Sequence, residues 1–194
     1  MTNTPPLLPL LRSRVQGDFL ALIYLHPDRD YSITEAAKAI HANVKTVYAL
    51  AAHLIESGFI ADSHRGNIHL VRAVTDSPIS RPLTDLLMVT YGPLPVLTDL
   101  LRGVEGVEAA YIFGSWAARY KGEVGPVPND VDVLVIGDPD RDDLYDIAEE
   151  ARRRLGREVN PRIIPAATWA SPPANDPFLK HVRTQPLVEL KVTA

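Results

Sequence analysis

Gly114-Ser115 and, after fourteen intervening residues, Asp130-Val131-Asp132 are the residues of this 194-residue chain whose types and spacing could do chemistry together. Asp130 and Asp132 open an apolar run, Val133-Leu134-Val135-Ile136, that reads as a strand. Residues two apart on a strand project from one face, so the two carboxylates point at one spot. Like charges that close repel unless a cation lies between them. Hard oxygen ligands suit Mg²⁺, which takes one or two carboxylates and completes its shell with substrate phosphates and water. Ahead of Gly114, Ala109-Ala110-Tyr111-Ile112-Phe113 is apolar enough for a buried strand, and Gly114-Ser115 turns it toward a helix through Arg119. A helix start presents free N–H groups to phosphate. The two halves together point to a site for Mg²⁺ with ATP or another nucleoside triphosphate. The plainer reading makes Asp130 and Asp132 loop caps and Gly114 an ordinary turn glycine.

The elements that must hold these residues can be read on both sides of them. After Gly137, Asp138-Pro139-Asp140 starts a helix whose Leu144, Ile147, Ala148, Ala151 and Leu155 face a sheet. Arg152, Arg153 and Arg154 form its solvated end, favourable at the negative helix terminus. A third strand is expected from Glu158 to Ile164, and Leu187 to Val192 gives a fourth. Alternation puts Glu158, Asn160 and Arg162 on one face of the third strand.

The stretch Tyr111 to Gly137 resembles the signature of the nucleotidyltransferase superfamily related to DNA polymerase β: a strand, Gly-Ser, and an Asp-x-Asp pair on the next strand. The resemblance implies that Asp130 and Asp132 are catalytic metal ligands and that Gly114 and Ser115 bind the nucleotide. It also implies a third carboxylate on the strand beside the pair, and the residue aligned there is Asn160. An amide neither takes a proton at neutral pH nor supplies charge to a second metal, so Asn160 puts turnover in doubt. Glu158, two residues earlier on the same face, is the candidate substitute acid, or else a salt-bridge partner of Arg157 or Arg162. The segment Lys121 to Asn129 exceeds the minimal hairpin of the family and would reshape the pocket.

The first half has a different character. Leu7 to Leu25 carries Leu11, Val15, Phe19, Leu20, Ile23 and Tyr24 at helical spacing and stops at His26-Pro27. Ser32-Ile33-Thr34-Glu35 fits a capping box for a helix Ile33 to Ile40, and Asn43 can cap a second helix from Val44 to Ser57. That spacing is a helix-turn-helix. Gly58-Phe59-Ile60-Ala61 and Ile68-His69-Leu70-Val71 frame a hairpin tip at Arg65-Gly66-Asn67. On the second helix Val44, Val47, Leu50, Leu54 and Ile55 form the expected buried stripe, leaving Lys45, Tyr48, Ala49, Ala52 and His53 on other faces. The array resembles bacterial winged-helix regulators. It implies double-stranded DNA as partner, with Lys45, Thr46, Tyr48 and His53 on the recognition helix and His64 and Arg65 at the wing. Winged helices also serve as protein-docking modules.

Composition bounds the rest. Hydrophobic content of 46% and charged content of 23% describe an ordinary globular chain, no run reaches the eighteen apolar residues of a membrane span, and cysteine is absent. These features fit a cytoplasmic protein with no membrane partner, and they exclude disulfides and thiolate metal sites. Net charge is −4: residues 1–85 balance eight Lys/Arg against eight Asp/Glu, whereas 86–194 hold twelve against sixteen. Five of the six histidines lie in the first half, at spacings that match no zinc motif. Between the halves, Leu83 to Tyr91 and Leu94 to Leu101 read as helices that dock the domains or form a dimer interface.

The expected fold class is therefore α+β. A winged helix-turn-helix domain spans 1–78, a helical connector 79–104, and a small nucleotidyltransferase-like domain with a mixed sheet flanked by helices 105–194. The order resembles bacterial and archaeal regulators that pair these two domains. It implies a homodimeric DNA-binding regulator whose second domain binds a Mg-nucleotide. The alternatives are an active nucleotidyltransferase that moves a nucleoside monophosphate onto a protein or small molecule, and an antitoxin acting on a toxin partner.

Overall fold

The computed structural model describes residue 11 and residues 13–192, a mixed α+β chain with two sheets. It divides into two compact units, one ending at Gly92 and the other beginning at Pro93. The first unit runs α1 (Arg14–Tyr24), β1 (Tyr31–Ser32), α2 (Ile33–Ala39), α3 (Val44–Glu56), β2 (Ile60–Arg65), β3 (Ile68–Ala73) and α4 (Ser80–Tyr91). Its strands form an antiparallel sheet in the order β1-β3-β2.

The first three helix starts are capped by a side chain. Ser13 accepts from the Gln16 N–H to begin α1, and the part of the expected helix from Leu7 to Leu10 lies outside the described residues. Ser32 accepts from the Glu35 N–H at 3.1 Å, which is half of the expected capping box, while the Glu35 carboxylate pairs with Arg29. Asn43 accepts from the Lys45 N–H to open α3. Phe19, Leu20, Ile23 and Tyr24 from α1 meet Val47, Ala51 and Leu54 in the buried set, and the Tyr24 hydroxyl donates to the Phe59 carbonyl. One correction falls here: Val44 is 45% exposed and Ala51 takes its place in the buried stripe. A second concerns the hairpin, which is longer than expected. β2 and β3 stay paired from Ile60↔Ala73 to Arg65↔Ile68, so Arg65 is the last paired residue before the tip.

The second unit runs α5 (Pro93–Leu101), β4 (Val107–Phe113), α6 (Gly114–Tyr120), β5 (Asp130–Gly137), α7 (Arg141–Leu155), β6 (Glu158–Ile164), α8 (Ala166–Ala170), α9 (Pro177–Thr184) and β7 (Val188–Leu190). The sheet order is β6-β5-β4-β7, with β5 parallel to β6 and the other neighbours antiparallel. Parallel neighbours need a crossover, and α7 supplies it, capped by Asp140, which accepts from the N–H groups of Asp142 and Asp143. Period two splits β5 between two covered faces. Leu134 and Ile136 join Ile164, Leu179 and Val182 on one, whereas Val133 and Val135 lie with Val159, Leu97, Leu101 and Leu144 on the other.

The helices expected as a connector over 79–104 do not stand apart. α4 belongs to the first unit, where Tyr91 lies against Gly17 of α1, and α5 to the second, where Leu97 and Leu101 enter the core. Among the described residues no helix is long and apolar enough to cross a membrane.

Candidate functional site

β4 ends at Phe113 in extended backbone, and Gly114 then turns the chain at φ +67° into α6 with no side-chain cap. That left-handed conformation favours glycine, and space demands it as well: a Cβ at Gly114 would lie 2.8 Å from Asp132 Oδ2. Phe113 is paired with Asp132 across the β4–β5 ladder, so the turn and the carboxylate meet at the start of β5. Ser115, beside them, is exposed.

On the other side, β6 sets Glu158 against Asp130 and Asn160 against Asp132. The Asn160 amide nitrogen donates to Asp130 Oδ2 at 3.3 Å and to Asp132 Oδ1 at 3.4 Å. One neutral donor thus bridges two carboxylates whose charges repel. Burial pushes the Asp132 carboxyl above its usual range, the Asn160 hydrogen bond pulls it back in part, and the charge of Asp130 adds to the rise. These influences describe a place that favours a cation over two bare carboxylates. Among the described residues no group of three or more His, Asp or Glu side chains gathers that could hold a metal ion.

Glu158 is exposed, and its charge adds to the stronger effect of Glu149 in raising the Arg152 guanidinium. The other two arginines have work of their own. Arg162 stacks over the Phe178 ring, 3.5 Å from its centroid, and Arg157 packs on Trp116 and donates to the Pro128 carbonyl. Phe178 in turn meets Phe113 edge to face, so an aromatic and cationic border lies beside the Gly114 turn.

In the first unit Lys45, Thr46, Tyr48 and His53 of α3 are all exposed, as are His64 and Arg65 of β2. They do not form one cluster. Lys45 and Thr46 lie in the first turn of α3, while His53 is about 12 Å further along the axis at the rise of a helix. The hairpin contributes a residue that sequence reasoning left out: His69 lies opposite His64, stacks on it at 4.8 Å, and meets Tyr48 edge-on at 6.3 Å. Its Nε2 is 2.9 Å from Asp62 Oδ2, so a carboxylate is tied into this otherwise basic and aromatic surface.

No family model, no curated protein and no solved structure matches the chain. The chemistry therefore rests on the geometry.

Two carboxylates and an amide on adjacent parallel strands, closed on the third side by a glycine turn, can hold one hard cation and leave its remaining positions to phosphate or water. Sequence reasoning missed Arg157 and Trp116 as parts of this region, although a signal was present. Val159 is on a covered face of β6, and Arg157 precedes it by two residues, so alternation alone puts a cation on that covered face.

Proposed function

We propose that the protein is a DNA-binding regulator whose second unit binds a Mg²⁺-nucleotide. The observation that carries this reading is the Asp130–Asp132 pair, presented on one strand face and bridged by Asn160, with Gly114 pressed against Asp132. Asp130 and Asp132 would hold Mg²⁺, which on binding supplies the positive charge that phosphate oxygens need. Asn160 would turn its amide so that oxygen, rather than nitrogen, faces the cation, since an amide offers both a donor and an acceptor. Ser115 and the backbone at Gly114 remain for phosphate. Support for the DNA-binding half comes from α2 and α3, joined through a short turn with His41 at φ +52°, and from the hairpin that directly follows α3. This order of elements fits a winged helix-turn-helix, which would present the α3 start and the wing to DNA.

Titration calorimetry with ATP and Mg²⁺ tests the nucleotide half. Wild type is expected to bind, and Asp132→Asn to lose binding while remaining folded; equal affinity in both would end the metal-site reading. Fluorescence anisotropy tests the other half with duplexes from the protein's own promoter against random DNA. Lys45→Ala is expected to weaken binding and, through one lost phosphate contact, to reduce the salt slope by about one unit.

A second reading, transfer of a nucleoside monophosphate to an acceptor, keeps the same metal site. It is disfavoured by Asn160, which stands in register with Asp132 where an acid would orient or deprotonate the nucleophile. General-base help is worth about 10²- to 10⁴-fold, so wild type should show little transfer of label from α-labelled ATP and Asn160→Asp should raise it. Robust wild-type transfer would move this reading to first place.

A further inference from the structure

We propose that Arg157 is a positioning residue that fixes the Gly114 turn, the Asp pair and Asn160 relative to one another. This inference rests on the Mg²⁺-nucleotide reading of the site. Arg157 is 8% exposed, and it is joined by Ser80 as the polar residues in the buried set among the described residues. Its Nη1 donates to the carbonyl of Pro128, two residues before Asp130. Its guanidinium carbon lies 5.7 Å from the ring centroid of Trp116, the residue after Ser115. Its own backbone leads into β6, which sets Asn160 against Asp132. One residue therefore joins all three chain segments that carry the site, two through its side chain and the third through its own backbone.

The choice of residue is physically costly and so informative. A buried guanidinium gives up its hydration, and an apolar side chain of similar volume often packs there at no loss of stability. What an apolar residue lacks is two simultaneous uses of one flat group: N–H donation at the edge and stacking on an aromatic face. Pro128 and Trp116 take one each. Trp116 is itself 1% exposed, with an indole N–H that has no hydrogen-bond partner, so the indole takes part through its ring. Pro128 sits at the end of the long 121–129 segment, and the hydrogen bond from Arg157 pins that end where β5 begins. Groups that hold metal ligands in place from behind change metal affinity by about 10- to 100-fold when removed.

The test uses the full chain with Arg157→Met and Arg157→Lys. Amide hydrogen exchange is followed over residues 114–132, and Mg-ATP affinity is measured at a temperature where each variant is folded. In Arg157→Met, exchange over 126–132 should rise by at least about 10-fold while residues 14–91 are unchanged, and affinity should fall about 10- to 100-fold. Arg157→Lys keeps the charge and a donor but not the flat fork, and should recover part of both effects; it also carries the test should the Met variant not fold. Unchanged exchange over 126–132 in the folded variants overturns the proposal whatever the ligand does. Raised exchange with wild-type affinity also overturns it, since Arg157 would then support the fold alone. Should wild type itself bind no Mg-ATP, the underlying reading fails, and the site role of Arg157 falls with it even if exchange responds.

Discussion

Asp132 is where the competing demands on the site meet. Burial first, and the neighbouring Asp130 after the partial relief from Asn160, leave its carboxyl easier to protonate in the folded protein than in the unfolded chain. The ionised form therefore costs stability above the folded pKa, and the cost fades as pH falls toward and below the ordinary value of 3.8. Without divalent cations, Asp132→Asn should be more stable than wild type at pH 7. The gap should narrow as pH falls toward 3.8, as read from urea midpoints in EDTA. Magnesium should reverse the order, because binding at a hundred times Kd adds about 2.7 kcal/mol to wild type and nothing to a variant that cannot bind. Gly114 faces the same carboxylate. Gly114→Ala should cost about 1–2 kcal/mol from the left-handed backbone alone, and its Cβ, 2.8 Å from Asp132 Oδ2, should weaken the magnesium response further. An alanine variant with wild-type stability and magnesium response would show that the close approach is not needed.

At the scale of elements, close approach also decides how α1 and α4 pack. A Cβ on Gly17 would lie 1.9 Å from the Tyr91 hydroxyl, which is buried without a hydrogen-bond partner. Gly17→Ala should cost about 1–3 kcal/mol by overpacking, whereas Tyr91→Phe should be neutral or stabilising because it removes an unsatisfied buried polar atom. Thermal melts of both variants and of the double variant would check this, and a strongly destabilised Tyr91→Phe would contradict it. This contact also explains why the division of the chain was not legible in the sequence. α4 and α5 have similar apolar patterns, and their partners, Gly17 for one and Val133 and Leu144 for the other, lie far away along the chain. β4, β5 and β6 were legible because each is an apolar run beside a glycine or a charged start, and β6 spans Glu158–Ile164 as its alternation indicates. β2 was legible only in part, since Ala61 to Arg65 are exposed on both faces and no burial pattern marks where pairing to β3 ends. In the candidate site, spacing was enough to expect Asp130, Asp132 and Gly114 close together. Their mutual contacts depend on the register of three strands, which only the folded chain supplies. On α3 the stripe was misjudged by its first residue, because a first-turn position such as Val44 has helix on only one side to bury it.

At the scale of the whole molecule, charge and core divide along the same line. The unit ending at Gly92 carries no net charge and the unit from Pro93 carries the whole deficit of −4. The first unit also has its own apolar core, with Phe19, Ile23, Val47 and Leu87 each fully buried. A chain of residues 1–92 is therefore expected to fold cooperatively by itself, although a unit of this size buries a modest fraction of its surface and its stability will be low. Its affinity for random DNA should exceed that of the full chain at low salt, because the detached unit contributes only repulsion toward phosphate. The difference should vanish as salt rises, since the screening length falls from about 10 Å at 0.1 M to about 3 Å at 1 M. Anisotropy titrations of both chains across a salt series would decide it. If the full chain binds random DNA as tightly as residues 1–92 at the lowest salt, the acidic unit does not oppose DNA. The basic side chains among Arg152–Arg154, Arg162 and Arg183 would then be the next residues to test for phosphate contact.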